Sequence, residues 1–140
     1  MLLINSITRE GFEPFGTVLE FPPDCNEPFC IIDTEENSPW RVAVFRYSNH
    51  EVSRMENHPS SKESFEPLQG ITILVVAEKD KPEQYKGFLL DKPVCLKKGI
   101  WHQVLALTPE AQVKITENLE VSSEFYDFDK PLRVVLTAEF

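Results

Sequence analysis

Short apolar runs alternate with turns rich in Pro, Gly and Asp along the chain, and no stretch keeps the apolar spacing of a long amphipathic helix. The most legible strand is residues 40–47 (WRVAVFRY), whose β-branched and aromatic side chains suit a pleated sheet. Residues 71–77 (ITILVVA) are apolar at nearly every position and predict a strand buried on both faces. Shorter runs predict strands at residues 1–4, 17–21, 51–58, 64–68, 88–90, 94–96, 103–107, 112–116 and 132–137. Residues 29–32 supply the one plausible strand in the acidic, turn-rich stretch from 24 to 39. Thr8 has the character of a helix cap ahead of Arg9-Glu10-Gly11-Phe12, which predicts a single helical turn stopped by Pro14 and Gly16. Many short strands with one or two helical turns predict an all-β sandwich or barrel. No internal repeat, low-complexity tract or linker divides the chain, so residues 1–140 read as a single domain.

The two rows of residues 40–47 set up a question of facing. Trp40, Val42 and Val44 share a row with Arg46, while Arg41, Ala43, Phe45 and Tyr47 make the other, and both are largely apolar. If Arg46 points inward it needs an anionic partner.

Charge narrows the function. The net charge of -9 argues against nucleic acid as a partner, since binding phosphate chains needs clustered Lys and Arg, and disfavours an anionic membrane surface. A small anionic ligand held by local arginines stays open. Cys25, Cys30 and Cys95 are an odd number without a C-x-x-C pair, which suits a reducing cytoplasm better than a disulfide framework. No basic n-region and no long apolar run marks a secretory signal or a membrane span.

The chemistry concentrates in residues 55–70. Glu56, His58, Glu63 and Gly70 form the pattern E-x-H-x4-E-x6-G. Residues two apart on a strand point to one face, so Glu56 and His58 can aim together, and Glu63 can return on the neighbouring strand after the Pro59-Ser60-Ser61 turn. Downstream, Gly99-Ile100-Trp101-His102 places a second imidazole at a strand start. Glu56, His58, Glu63 and His102 are the donor set of an oxygen-and-nitrogen metal site, and any of them can instead carry a proton. His50 reads as an ordinary surface or core histidine. Arg46 is the candidate for a substrate carboxylate, because its planar fork matches one bidentately. Trp101 is a candidate pocket wall, with a core role equally open, and Lys97 and Lys98 read as solvated.

The same residues carry a resemblance. The first motif of the cupin superfamily is matched at His58, Glu63 and Gly70, with Glu56 in the place of its first His. The second is matched at Gly99 and His102, with Lys97 for its Pro and Ala106 for its Asn. A closer likeness covers most of the chain: residues 8–20 (TREGFEPFGTVLE), Glu56-Asn57-His58-Pro59, Ser64-Phe65-Glu66-Pro67-Leu68, Ile73-Leu74-Val75-Val76-Ala77 and Gly99-Ile100-Trp101-His102 resemble blocks of the ureidoglycolate lyase family. Arg46 falls where that family has an arginine before the first motif.

The resemblance implies a cupin-type jelly-roll barrel that cleaves ureidoglycolate, a small anionic substrate, to glyoxylate and urea. It further implies Glu56, His58 and His102 in catalysis, Arg46, Glu63 and Trp101 at the substrate, and a divalent metal (Ni, Mn or Zn) on Glu56, His58, Glu63 and His102. Cupins commonly pair through edge strands, which points to a homodimer formed through residues 2–4. Two departures leave alternatives open. Glu63 stands where the lyases usually carry Gln, which favours a metal-dependent cupin enzyme, such as an isomerase, on another hydroxy acid, keto acid or sugar. Glu117-Asn118-Leu119-Glu120 replaces a D-R-G-G type segment, which favours a non-catalytic small-ligand cupin.

Overall fold

Thr72-Ile73-Leu74-Val75-Val76-Ala77 earns its apolar character by lying inside the larger of two sheets, while Ile71 just before it is exposed. The computed structural model describes residues 2–134. In chain order its elements are β1 (Ile4–Ser6), α1 (Arg9–Phe12), β2 (Gly16–Val18), β3 (Trp40–Tyr47), β4 (Glu51–Asn57), β5 (Glu63–Gln69), β6 (Thr72–Ala77), β7 (Lys86–Leu89), β8 (Val94–Leu96), β9 (Trp101–Ala106), β10 (Ala111–Asn118) and β11 (Glu124–Arg133). One sheet runs β1-β7-β6-β9-β4-β11 and the other β2-β8-β5-β10-β3. Together they form a jelly roll of the cupin type. Among the described residues no helix is long and apolar enough to cross a membrane.

Every residue of β6 is buried because both faces are covered. Leu74 and Val76 join Phe65, Val94, Leu96, Val104 and Val113 in the barrel interior. Ile73, Val75 and Ala77 point the other way, into an outer cluster with Met55, Trp101, Leu105 and Leu132. The strand-strand alternation of period two thus feeds two cores from one strand.

Thr8 caps α1 as its type predicts: its Oγ1 accepts the Gly11 N–H at 3.0 Å. Phe12 is fully buried, edge-to-face with Phe88 at 5.1 Å, within the barrel-interior cluster. The N-terminal strand pairs parallel with β7 at Ile4, Asn5 and Ser6, and Leu2 bridges Val134. Leu2 is buried in the outer cluster, so this apolar run is largely used within the chain, although Leu3 remains 69% exposed.

Three expectations need correcting. Residues 29–32 form no strand: Phe29 and Ile31 face solvent, and prolines at 22, 23 and 28 leave the segment without a ladder partner. The segment is held instead by ion pairs, Lys62 to Asp33 at 2.8 Å and Lys98 to Glu35 at 2.9 Å. The last strand begins at Glu124, earlier than its charged residues and Pro131 suggest, while residues 135–137 of the expected run lie outside the described residues. Finally, the inward row of β3 is the one containing Arg41, Ala43, Phe45 and Tyr47. Tyr47 is buried in the barrel interior, and Val42 and Val44 are exposed on the opposite face with Arg46.

Candidate active site

Glu56 near the end of β4 and His102 near the start of β9 are direct partners across the larger sheet, so both side chains point into the barrel. His58 lies just beyond β4. The Pro59-Ser60-Ser61 turn then carries the chain across to the other sheet, where Glu63 opens β5. Glu63 therefore faces Glu56 and His58 from the opposite sheet rather than from a hydrogen-bonded neighbour, which corrects the expected geometry but brings the same residues together. A hydrogen bond from the Gly99 N–H to the His58 carbonyl, at 3.1 Å, ties the two motif turns to each other.

The centre of the cluster is Glu63 Oε1. It lies 3.0 Å from His58 Nε2 and 3.1 Å from His102 Nε2. Glu56 Oε1 stands 3.9 and 3.8 Å from the same two nitrogens. Glu63, His58 and His102 are buried, while the Glu56 side chain is 35% exposed and marks the open side.

Each imidazole is oriented from behind. His102 Nδ1 meets the Ile100 carbonyl at 3.0 Å, and His58 Nδ1 meets the Ser122 carbonyl at 3.1 Å with Ser123 Oγ at 3.2 Å. A carbonyl at Nδ1 places one proton there and turns Nε2 to the cluster, where it carries the second proton beside Glu63 and would offer its lone pair only when a cation displaces that proton. Charge is concentrated accordingly. Contact with Glu63 raises His58 to about 9, outweighing the effect of burial. Burial alone would lift the Glu63 carboxyl, but the two imidazoles overcome it and hold Glu63 at about 2. His102 is shifted upward, with Glu63 overcoming the burial that opposes its charge.

Although these distances suit hydrogen bonds, Glu63 Oε1 and His102 Nε2 are not aligned for one and, among the described residues, find no hydrogen-bond partner. Buried polar atoms are normally paired. Misdirected donors and acceptors converging on a common point fit a cation held between them. Within 4.8 Å of one another lie ligand atoms of Glu56, His58 and His102, and likewise of His58, Glu63 and Glu117.

Two residues here were not read from the sequence as site residues. Glu117, near the end of β10, has a buried side chain with Oε1 at 3.8 Å from His58 Nε2. Its register partner on β3 is Arg41, whose Nε donates to Glu117 Oε2 at 2.9 Å. Burial raises the Glu117 carboxyl, and Arg41 opposes that rise. The period-two row through Tyr47 was the available signal for Arg41; for Glu117 it was its place in the segment that departs from the D-R-G-G type, one residue past the expected strand 112–116.

Two expected positions, Arg46 and Trp101, fall elsewhere, and His50, read as an ordinary histidine, also stands apart. Arg46 lies on the opposite row of β3, 73% exposed and paired with Glu110 at 3.3 Å. Trp101 points away from His102, its Nε1 donating to the Lys79 carbonyl at 2.9 Å and its ring packed in the outer cluster. His50 bonds the Ala106 carbonyl at 2.7 Å, apart from the cluster.

The sequence profile of the ureidoglycolate lyase family matches residues 26–127. The ureidoglycolate lyase of Agrobacterium fabrum is 29% identical over 95% of each chain. Ureidoglycolate lyase 1 of Rhizobium meliloti is 32% identical over 75% of this chain and 74% of its own. Among solved structures, a dTDP sugar isomerase from Desulfovibrio desulfuricans G20 superposes with a TM-score of 0.52 at 15% identity, over 82% of this chain and 83% of that one. That likeness is one of fold. Profile, relatives and barrel agree: the chain belongs to the ureidoglycolate lyase family.

Proposed function

We propose that the protein cleaves ureidoglycolate to glyoxylate and urea at the Glu56–His58–Glu63–His102 cluster. The observation that carries this reading is the convergence of two carbonyl-oriented imidazoles on one buried carboxylate, in a chain of this family. Glu56, His58, Glu63 and His102 would hold a divalent metal, with Ni, Mn and Zn the candidates. Such an ion, when bound, supplies Lewis-acid polarisation of a hydroxyl and a carboxylate.

The chain's own groups account for binding and proton movement. Arg41 replaces Arg46 as the partner of the substrate carboxylate: it is 44% exposed, its Nε and Nη2 rest on Glu117 Oε2, and its remaining N–H groups are left to meet a carboxylate. Glu56, on the open side, takes the proton of the substrate hydroxyl. The freed electron pair closes the carbonyl of glyoxylate as the C–N bond breaks, and the bond pair leaves with the urea nitrogen. That nitrogen gains a proton from Glu117, whose raised affinity for protons suits a donor. Exposed Phe45 and Ala43 on the inward row of β3 give the small substrate a wall at the same opening.

A second reading draws on Glu63, a carboxylate where the lyases usually carry Gln. It makes the centre more acidic and suits a metal-dependent isomerase of another hydroxy acid, keto acid or sugar. One assay separates the two. Purified protein supplied with Ni, Mn or Zn is given ureidoglycolate, and glyoxylate is followed. Turnover that disappears in His102→Ala supports the lyase; none with any of the three metals, in folded protein, rejects it and leaves the isomerase reading.

We further place the protein in the cytoplasm, supported by three free cysteines, and read it as a homodimer. β3 is the strand we assign to that contact. Among the described residues it has one ladder partner, β10, and Trp40, Val42, Val44 and Phe45 are exposed along it. A long apolar edge of this kind is a template for another strand.

A further inference from the structure

The ladder between β11 and β4 slips on the face of the larger sheet that points away from the barrel. Asp127 pairs with Arg54, but the next pairing is Leu132 with Val52, so β11 carries three more residues than its partner over the same span. Bulges of this kind re-aim side chains. Here the bulge lifts Phe128 to Pro131 off the ladder and opens a cavity of about 280 Å³ between β11 and the residues ahead of β7.

The lining is aromatic and acidic. Tyr85 and Phe128 lie with centroids 5.3 Å apart at 78°, and Tyr126 and Phe128 at 5.4 Å and 83°, so the rings stand at near right angles. All three are half-buried: they cover the outer apolar cluster and keep part of their surface accessible. Among the described residues neither tyrosine hydroxyl has a hydrogen-bond partner. Glu83, Asp127 and Asp129 stand at the rim with Lys130. Arg54 occupies Asp127 at 2.6 Å, but among the described residues Glu83 and Asp129 meet no cationic side chain.

We propose that this cavity binds a small organic cation, an ammonium or guanidinium head, against Tyr85, Tyr126 and Phe128, with Glu83 and Asp129 as counter-charges. Aromatic faces carry negative quadrupole potential and attract such cations, most strongly where water is excluded. The carboxylates and the net charge of -9 disfavour an anion. Ring faces offer no ligands to a hard metal ion, which takes oxygen donors in number. The volume suits a compact head group. Because Trp101 and His102 alternate on β9, this site and the barrel cluster lie on opposite faces of one sheet. The proposal is independent of the lyase reading.

The test is an NMR titration of the full chain with tetramethylammonium chloride and, separately, guanidinium chloride, at ionic strength held constant with NaCl. Saturable shifts of the Tyr85, Tyr126 and Phe128 ring resonances are expected. Affinity should fall roughly tenfold in Tyr85→Leu, which removes a ring, and stay within about twofold in Tyr85→Phe, which keeps it. Asp129→Asn should weaken binding about threefold, an effect that shrinks with added salt. Preference for one probe tells a quaternary ammonium from a planar guanidinium ligand. Shifts that stay linear with concentration, or that match those from NaCl alone, overturn the proposal. So does undiminished affinity in Tyr85→Leu. Should that variant fail to fold, Asp129→Asn and Tyr85→Phe decide: equal affinity in Asp129→Asn, or loss in Tyr85→Phe, is equally fatal.

Discussion

Arg41 and Arg46 stand on one strand and end on opposite faces, with opposite consequences. Arg41 reaches Glu117 at the barrel mouth, whereas Arg46 meets Glu110 in solvent. Arg41→Ala is expected to raise KM for ureidoglycolate roughly tenfold to a hundredfold, the worth of a charge-assisted bond, with a smaller change in kcat. Arg46→Ala should leave both constants unchanged. Equal effects from the two substitutions, in steady-state kinetics, would remove Arg41 from the substrate's carboxylate.

The charges of the central three residues set a pH signature for the metal-free protein. His58 is raised from 6.5 to about 9 by Glu63, so its stabilisation is complete below pH 6.5 and lost as the pH rises through 9. Glu63 is lowered from 4.5 to about 2, so its stabilisation is present above pH 4.5 and lost as the pH falls through 2. Thermal melts after chelation should therefore show the cluster's largest contribution between pH 4.5 and 6.5. Glu63→Gln should flatten both flanks, since it removes the main partner of each shift. A wild-type profile indistinguishable from that of Glu63→Gln would contradict this charge arrangement.

At the scale of the element, the turns carry the site as much as the strands do. Gly70 joins β5 to β6 with φ of 74°, and an added Cβ would collide with the Glu110 carbonyl oxygen and Thr108 Oγ1. Gly70→Ala is expected to destabilise the fold by more than the ~1–2 kcal/mol of the left-handed backbone alone. Urea unfolding measures this, and a loss below about 0.5 kcal/mol would mean that the turn relaxes freely.

Element by element, the chain announced itself unevenly. β3, β6 and β8 follow from apolar runs whose neighbours are turns, and Glu56, His58, Glu63 and His102 meet because strand alternation and two motif turns suffice to aim them. What alternation cannot give is which row of β3 faces inward, since Trp40-Val42-Val44 is as apolar as Ala43-Phe45-Tyr47. Only the ladder to β10, pairing Arg41 with Glu117 across 76 residues of sequence, decides it. The apolar letters of residues 29–32 misled for a related reason: a strand needs a partner edge, and proline-rich turns put that segment against lysines instead. Trp101 looked like a pocket wall because it precedes His102, yet adjacency on a strand is what sends it to the other face.

For the whole molecule, the two sheets divide the work. The inner face holds a filled barrel with the charged cluster at one end; the outer face of the larger sheet holds a second core roofed by β11. Among the described residues the smaller sheet leaves β3 open at its edge. A homodimer through that edge predicts twice the 16.1 kDa chain mass in light scattering, shifting toward the monomer in Val44→Lys. A monomeric wild type would reject it.

The most direct measurement of the central claim is the metal content of the purified, tag-free protein beside His58→Ala. The converging nitrogens of His58 and His102 on Glu63 predict one divalent ion per chain in the wild type, and its loss in His58→Ala despite a retained fold. No bound ion after incubation with Ni, Mn and Zn, or the same content in both proteins, would contradict the account.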